Sequence, residues 1–322
     1  MNSKHMKELR TGWRFRKGDP AFAASSEFDD SDWDQVILPH TWNADDMFPG
    51  KDPKQAYIGP SWYRMRFRLP TDLHPETRWF VLFEAIANVA EIYVDDKFLG
   101  GSDCGFLSVR FDITDALDSG DEHLVAVRVD NSFKPGTMPP EGIDWDRYGG
   151  IYRPAWLLSK GTSWFDHKSI RISTPRVSAE SADVEISCRG WERGALRTRN
   201  LQVEHTILDA DGQCVSKTHE MVDSRGGSTT PSSSRFDPIT RPNLWSPETP
   251  YLYSVRSRLY DQDLLLDEEV NPLGLRWYDF HPDEGFSLNG VSRKLKGVNM
   301  HQEYPGLGWA CPDRFFRREA EM

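Results

Sequence analysis

The chain lacks most of the features that would tie it to a metal, a membrane or a nucleic acid. Its four cysteines, Cys104, Cys188, Cys214 and Cys311, are scattered through 322 residues, and none forms a Cys-x-x-Cys or Cys/His pair at metal-ligand spacing. Reduced, packed thiols are therefore expected. No run approaches the ~18 apolar residues of a membrane span. The opening MNSKHMKELR is polar and has no signal-peptide core, so a cytoplasmic location is expected and no membrane partner. Basic residues are in deficit: 39 Lys and Arg face 50 Asp and Glu, a net charge of -11. Nucleic acids and anionic membranes favour basic faces, so neither is an expected partner. There is no Gly-x-Ser-x-Gly elbow for nucleophilic catalysis, no glycine-rich phosphate loop and no internal repeat. Up to Leu273, helical periodicity is nearly absent as well.

Short β-rich runs separated by turn chemistry take its place. The 12 Trp residues and 12% aromatic content are high, and such rings either fill sandwich cores or stack on ligands. Between residue 7 and about residue 160, Trp62 to Leu69, Trp79 to Phe83, Val89 to Val94 and Ile151 to Leu158 read as strands. Asp95-Asp96-Lys97 reads as a hairpin turn, and His123 to Val129 is apolar enough to be buried on both faces. About eight strands without helices imply a β-sandwich of jelly-roll type. From 161 to 273 the signal repeats with about seven strands, the count of an immunoglobulin-like sandwich. Within it, Arg225 to Ser234 (RGGSTTPSSS) reads as a mobile loop. The fold class is thus mainly β, a jelly-roll β-sandwich followed by an immunoglobulin-like one.

Beyond Leu275 the character changes. Residues 283–290 read as a small hairpin. Lys294 to Asn299 reads as a strand, with Leu295 and Val298 as core candidates and Gly297 permitting close backbone approach. His301, Gln302 and Glu303 crowd polar groups at its end, and a helix starting at Pro312 and carrying Phe315 and Phe316 closes the chain.

A series of motifs in register resembles glycoside hydrolase family 2, the β-galactosidase and β-glucuronidase family. They are LPHTWN (38–43), SWYRMRF (61–67), FEAIANVAEIYVDD (83–96), FDIT (111–114), VRVDNS (127–132), DWDRYGGIYRP (144–154), LWSPETPYLY (244–253), LGLRWYDF (273–280) and KGVNMHQEYPGLG (296–308). The resemblance implies a jelly-roll sugar-binding domain over 1–160, an immunoglobulin-like domain over 161–273, and a short, incomplete start of a (β/α)8 barrel over 274–322. The chain departs from the family's His-x-Gly-Gly-Tyr pattern, with Ser102 to Phe106 in its place, so no ligand contact is carried over to that loop.

By the same resemblance, the function implied is that of the N-terminal part of a retaining, β-galactosidase-like exo-β-glycosidase. Such chemistry needs two carboxyl groups across the scissile bond. Relatives deliver them from later barrel strands, so no catalytic residue is expected before Met322 and the chain alone is expected to be inactive. Sugar-positioning roles fall to Asp144, Asn299 and His301, with Arg147, Asn43 and Glu303 as weaker candidates. A carboxylate at Asp144 can accept hydrogen bonds from vicinal hydroxyls or meet a cation. No cofactor is required, although a sodium or magnesium ion is an option for the complete enzyme. The expected partner is a carbohydrate, a β-galactoside or related glycoside, and a homo-oligomer stays open. A stand-alone carbohydrate-binding or interaction module is the alternative. With no barrel to receive them, Leu295, Val298 and the last helix are expected to leave apolar surface and a strand edge exposed.

Overall fold

Alternating side chains become strands wherever a neighbour can take their backbone hydrogen bonds, and the first sandwich is built this way. The structure is a computed structural model and describes residues 6–46, 50, 52, 55–70, 77–142, 146–192, 199–225, 228–229 and 231–322. Its residues group into two units, Lys160–Val298 and the strands up to Ser159 together with Asn299–Met322.

The unit that contains the beginning of the described chain has ten strands: β1 (Met6–Glu8), β2 (Trp13–Lys17), β3 (Asp34–Val36), β4 (Pro60–Phe67), β5 (Arg78–Phe83), β6 (Val89–Val94), β7 (Lys97–Ser102), β8 (Val109–Asp112), β9 (His123–Asp130) and β10 (Ala155–Lys160). They form a six-stranded sheet, β3-β2-β4-β9-β6-β7, and a four-stranded sheet, β1-β10-β5-β8. One core joins both sheets. Trp13, Phe15, Tyr63, Met65, Ile92, Val125 and Val127 come from the first, and Trp79, Val81, Phe83 and Leu157 from the second. In β6 the alternation is plain, with Ala90, Ile92 and Val94 buried and Glu91 and Tyr93 half-buried. The turn after it places Asp95 at φ 44° and Asp96 at φ 66°, the left-handed pair that a two-residue hairpin requires.

Strand β9 is buried on both faces apart from Arg128, as its composition implies. A second cluster explains this: Ala23 and Trp33, from the segment between β2 and β3, pack on Trp62 and Ala126. Arg64 of β4 anchors that segment. Its fully buried guanidinium pairs with Asp30 at 2.7 Å and donates to the backbone oxygens of Ser25 (2.9 Å) and Phe28 (3.3 Å). It also lies 5.5 Å from the centroid of the Phe28 ring. A buried cation survives only when paired and hydrogen-bonded in this way.

The other unit has a seven-stranded sheet dominated by Arg199–Leu208, Cys214–Arg225, Tyr253–Asp261 and Leu264–Leu273. A three-stranded sheet of Arg171–Ser173, Glu185–Cys188 and Ser232–Arg235 accompanies it. Ile186, Ile207, Val255 and Leu273 share one core, in immunoglobulin-like fashion. The expected loop from Arg225 to Ser234 is replaced by strand: Ser228–Thr229 and Ser232–Arg235 pair with neighbours, while residues 226, 227 and 230 lie outside the described ones. Small polar residues suit a paired strand because the ladder satisfies their backbone groups. The expected hairpin extends into three antiparallel strands, Tyr278–His281, Gly285–Leu288 and Val291–Ser292. Asn289 at φ 53° and Gly290 at φ 75° make the second turn.

The expected strand at Lys294–Asn299 does not form; residues 293–299 carry no strand, and Leu295 and Val298 are exposed at 65% and 94% rather than buried. An apolar run becomes a strand only beside a partner, and no described strand pairs with this one. No strand edge therefore arises there. The helix does form, α1 (Asp313–Glu321), with Asp313 in its first turn. Among the described residues, no helix is long and apolar enough to cross a membrane.

Burial pushes the pKa of His205 down to about 4, against the opposing charges of Glu220 and Glu204. Burial also lowers His40 to about 4, helped by the charge of Lys17 and opposed by Asp34. Both values lie below the ordinary 6.5, so the unfolded chain binds protons first as pH falls. Stability should be unaffected by these groups above pH ~6.5 and decline between ~6.5 and ~4, by up to about 3 kcal/mol for the fully buried His205 and less for His40. Urea denaturation across this range measures the slope, and His205→Asn should flatten it.

Candidate functional site

The candidate site is assembled where the chain returns to the first sandwich after residue 298. Trp309 is 1% exposed and sits among Tyr152, Phe106 and Tyr148, with ring centroids at 5.3, 5.7 and 5.8 Å. Such aromatic pairs add to the apolar area a buried indole removes from water. Tyr152 is held by its hydroxyl, which donates to the Gly105 carbonyl at 2.6 Å.

Around Trp309 the backbone is clamped. Thr41 Oγ1 donates to the Leu307 carbonyl at 2.7 Å, and Arg153 donates to the Cys311 carbonyl at 3.3 Å. Arg153 also covers the Phe316 ring at 5.0 Å, and Phe315 packs on Tyr304 at 4.9 Å. The last helix thus finds partners. Gly308 has φ 54°, and a Cβ there would lie 2.5 Å from the Tyr148 ring, so the approach demands glycine.

This packing creates a cavity of about 250 Å³ lined by Phe106, the run Asn299–Glu303 and Trp309. Asn299 and His301, both singled out from sequence, are brought together on one wall of it. Glu303 shares that wall. Its Oε1 lies 3.4 Å from His301 Nδ1, and its Oε2 is buried with no hydrogen-bond partner. Burial raises the Glu303 pKa, the charge of Asp146 adds to this, and His301 opposes it. The wall is therefore polar and weakly anionic, with an imidazole able to donate or accept, while Phe106 and Trp309 supply apolar faces. Such a mixture suits a hydroxyl-rich ligand with ring C–H faces.

Other sequence candidates sit elsewhere. Asn43 is wholly buried and works on the backbone: its Nδ2 donates to the Arg147 carbonyl at 2.8 Å, and its Oδ1 accepts from Gly149 N at 3.1 Å. It holds the 147–149 segment against Trp42 rather than lining the cavity, and a Cβ on Gly149 would overlap the Trp42 indole at 2.1 Å. The Arg147 guanidinium lies over Phe133, 5.8 Å from its centroid. Asp144 lies outside the described residues. Among the described residues no group of three or more His, Cys, Asp or Glu could hold a metal.

Sequence reasoning missed Phe106 and Trp309. Phe106 lies in the loop that departs from the motif pattern, which drew attention away from it. Trp309 had one available signal: a large ring directly after Gly308, in a segment otherwise rich in small and polar residues.

Two family descriptions match the chain: "Glycosyl hydrolases family 2, sugar binding domain" over residues 7–161 and "Glycosyl hydrolases family 2" over 168–276. A β-glucuronidase of Bacteroides fragilis is 31% identical over 316 residues, covering 93% of this chain and 42% of that protein. A β-galactosidase of Thermoanaerobacter pseudethanolicus is 29% identical over 314 residues, covering 96% of this chain and 40% of that protein. The crystal structure of a Bacteroides uniformis β-glucuronidase superposes with a TM-score of 0.90 at 34% identity, covering 98% of this chain and 37% of that one. Another similar structure is Bacteroides uniformis β-glucuronidase 2 covalently bound to cyclophellitol-6-carboxylate aziridine. The chain spans 34% and 33% of two further curated relatives, so between a third and two fifths of the length of the relatives it matches.

Trp309→Ala should loosen the docking of the terminal segment by about 3 kcal/mol. Hydrogen exchange would read this as faster exchange of amides in 304–322 with β4 and β9 unchanged. Equal exchange in both proteins would show that the indole does not hold the segment.

Proposed function

Because the chain belongs to glycosyl hydrolase family 2, we propose that it is the amino-terminal part of a retaining exo-β-glycosidase that releases terminal β-linked sugars. The observation that carries this reading is the cavity wall of Asn299 and His301 beside Trp309. Two substrate classes are offered by the names of similar proteins, β-galactosides and β-glucuronides. The β-glucuronide is the better supported, since the β-glucuronidase of Bacteroides uniformis superposes at a TM-score of 0.90 and its namesake is covalently bound to cyclophellitol-6-carboxylate aziridine.

Retaining hydrolysis uses two carboxyl groups about 5–5.5 Å apart, one attacking the anomeric carbon and the other acting as acid and then base. We assign neither to these 322 residues. What this chain contributes is positioning. His301 hydrogen-bonds a sugar hydroxyl as charge develops at the anomeric carbon, and Asn299 supplies an amide on the same wall. Asp144 is proposed to accept bonds from vicinal hydroxyls, or to meet a sodium or magnesium ion in the complete enzyme; the chemistry itself requires no cofactor. Arg147 and Asn43 act at one remove, through the 147–149 segment that packs beside Trp309.

A second reading, a stand-alone carbohydrate-binding module, is favoured by one observation: the cavity is formed entirely within one unit. Assays separate the two. The 322-residue chain should give no turnover on 4-nitrophenyl β-D-glucuronide or β-D-galactopyranoside, whereas a longer protein beginning with it should hydrolyse one of them. Turnover by the pure chain would sink the assignment of both carboxyls elsewhere. A longer protein inert on both substrates, with saturable calorimetric binding of the free sugar by the chain alone, would favour the module.

A further inference from the structure

We propose that Phe106 is a ligand-stacking residue: the loop from Ser102 to Phe106 holds its ring on the cavity wall, where it takes the C–H face of one pyranose ring. That the pyranose belongs to a β-glycoside rests on the glycosidase reading; the stacking contact does not.

The sequence departs from the family's motif in this loop, yet the fold brings it to the cavity. Backbone bonds fix its course. Gly105 N donates to the Met138 carbonyl at 2.7 Å, Met138 N donates to the Asp103 carbonyl at 2.9 Å, and the Tyr152 hydroxyl donates to the Gly105 carbonyl at 2.6 Å. A Cβ on Gly105 would sit 3.3 Å from both Asn88 Oδ1 and the Met138 oxygen, so the residue that precedes the ring is closely packed as well. A side chain carried on backbone held in this way has little ordering left to lose when a ligand arrives.

Of the two aromatic rings that line the cavity, Phe106 is the one with area to offer. It is 38% exposed, whereas Trp309 is 1% exposed. Their centroids lie 5.7 Å apart with the planes inclined at 43°, so the indole supports the phenyl ring and leaves part of it uncovered. The face of an aromatic ring carries partial negative charge, and the C–H bonds of a sugar ring, polarised by the oxygens beside them, meet it with partial positive charge. The cavity of about 250 Å³ is smaller than the ~300–1,000 Å³ of sites for drug-sized ligands, which suits one ring rather than a chain of them. Equatorial hydroxyls leave a pyranose around its rim. A sugar laid on Phe106 therefore turns hydroxyls toward the polar run Asn299–Glu303 that lines the same cavity.

The test is a proton NMR titration of the 322-residue chain with methyl β-D-glucuronide and methyl β-D-galactoside, neither of which carries an aromatic group. Protons above an aromatic face move upfield, so the ring C–H signals of at least one glycoside should shift upfield and saturate. Phe106→Leu keeps an apolar side chain but has no π face. It should abolish the shift and weaken binding roughly two- to tenfold, with an unchanged circular dichroism spectrum, while Phe106→Tyr should retain both shift and affinity. If Phe106→Leu does not fold, Phe106→Met is read in its place. No saturable shift with either glycoside would overturn the proposal, as would a folded Leu or Met variant that binds and shifts like the wild type, or equal losses in the Leu and Tyr variants. No bond is cleaved in this titration, so such a failure leaves the glycosidase reading to the nitrophenyl assays, and a longer protein inert in those assays would leave the Phe106 contact standing.

Discussion

Burial of Trp309 among Tyr148, Tyr152 and Phe106 is the contact on which the candidate site depends. Without it, the run from Asn299 to Glu303 would have neither a backing nor a fixed direction, because residues 293–299 form no strand of their own. The indole is a large apolar anchor for a segment otherwise rich in glycine, proline and polar residues, which alone would bury little surface to offset the entropy of ordering it. The cavity, the facing of Glu303 and His301 and the seating of the last helix all follow from that one side chain being removed from water.

The receiving pocket has its own constraints, and they lie on a loop rather than a strand. Asn43, buried and hydrogen-bonded to the backbone at Arg147 and Gly149, sets the path of the segment that presents Tyr148. Gly149 lets that segment lie flat on Trp42, and Gly308 lets the returning chain lie against Tyr148. Two bare backbones and one amide side chain thus set the path of the segment that carries Tyr148 to Trp309. This arrangement also explains why Asn43 contributes without facing the cavity: its amide is wholly buried and directed at the backbone of Arg147 and Gly149.

Electrostatically, the wall is built from groups that moderate one another. Burial disfavours the charge on Glu303 and Asp146 disfavours it further, while His301 favours it. The acid side of the chain's overall charge is thus represented at the site, alongside one imidazole. A neutral hydroxyl is the ligand group that such a wall can meet at least desolvation cost.

Much of this was legible in the residues alone. The alternation in β6, the doubly apolar run of β9, the Asp-Asp turn and the mainly β class all followed from period and turn chemistry, which act within a few residues. Placing Asn299 and His301 together came from their spacing on one short run and from the family motifs that contain them. What the sequence could not determine was pairing across distance. Lys294–Asn299 has the composition of a strand but no neighbour, and the Ser/Thr-rich stretch near 230 has the composition of a loop but two neighbours, so each adopted the state its surroundings allowed. Trp309 and Phe106 belong to the same class: a ring becomes an anchor only when residues 157 to 203 positions away supply the pocket, and only the tertiary structure decides that.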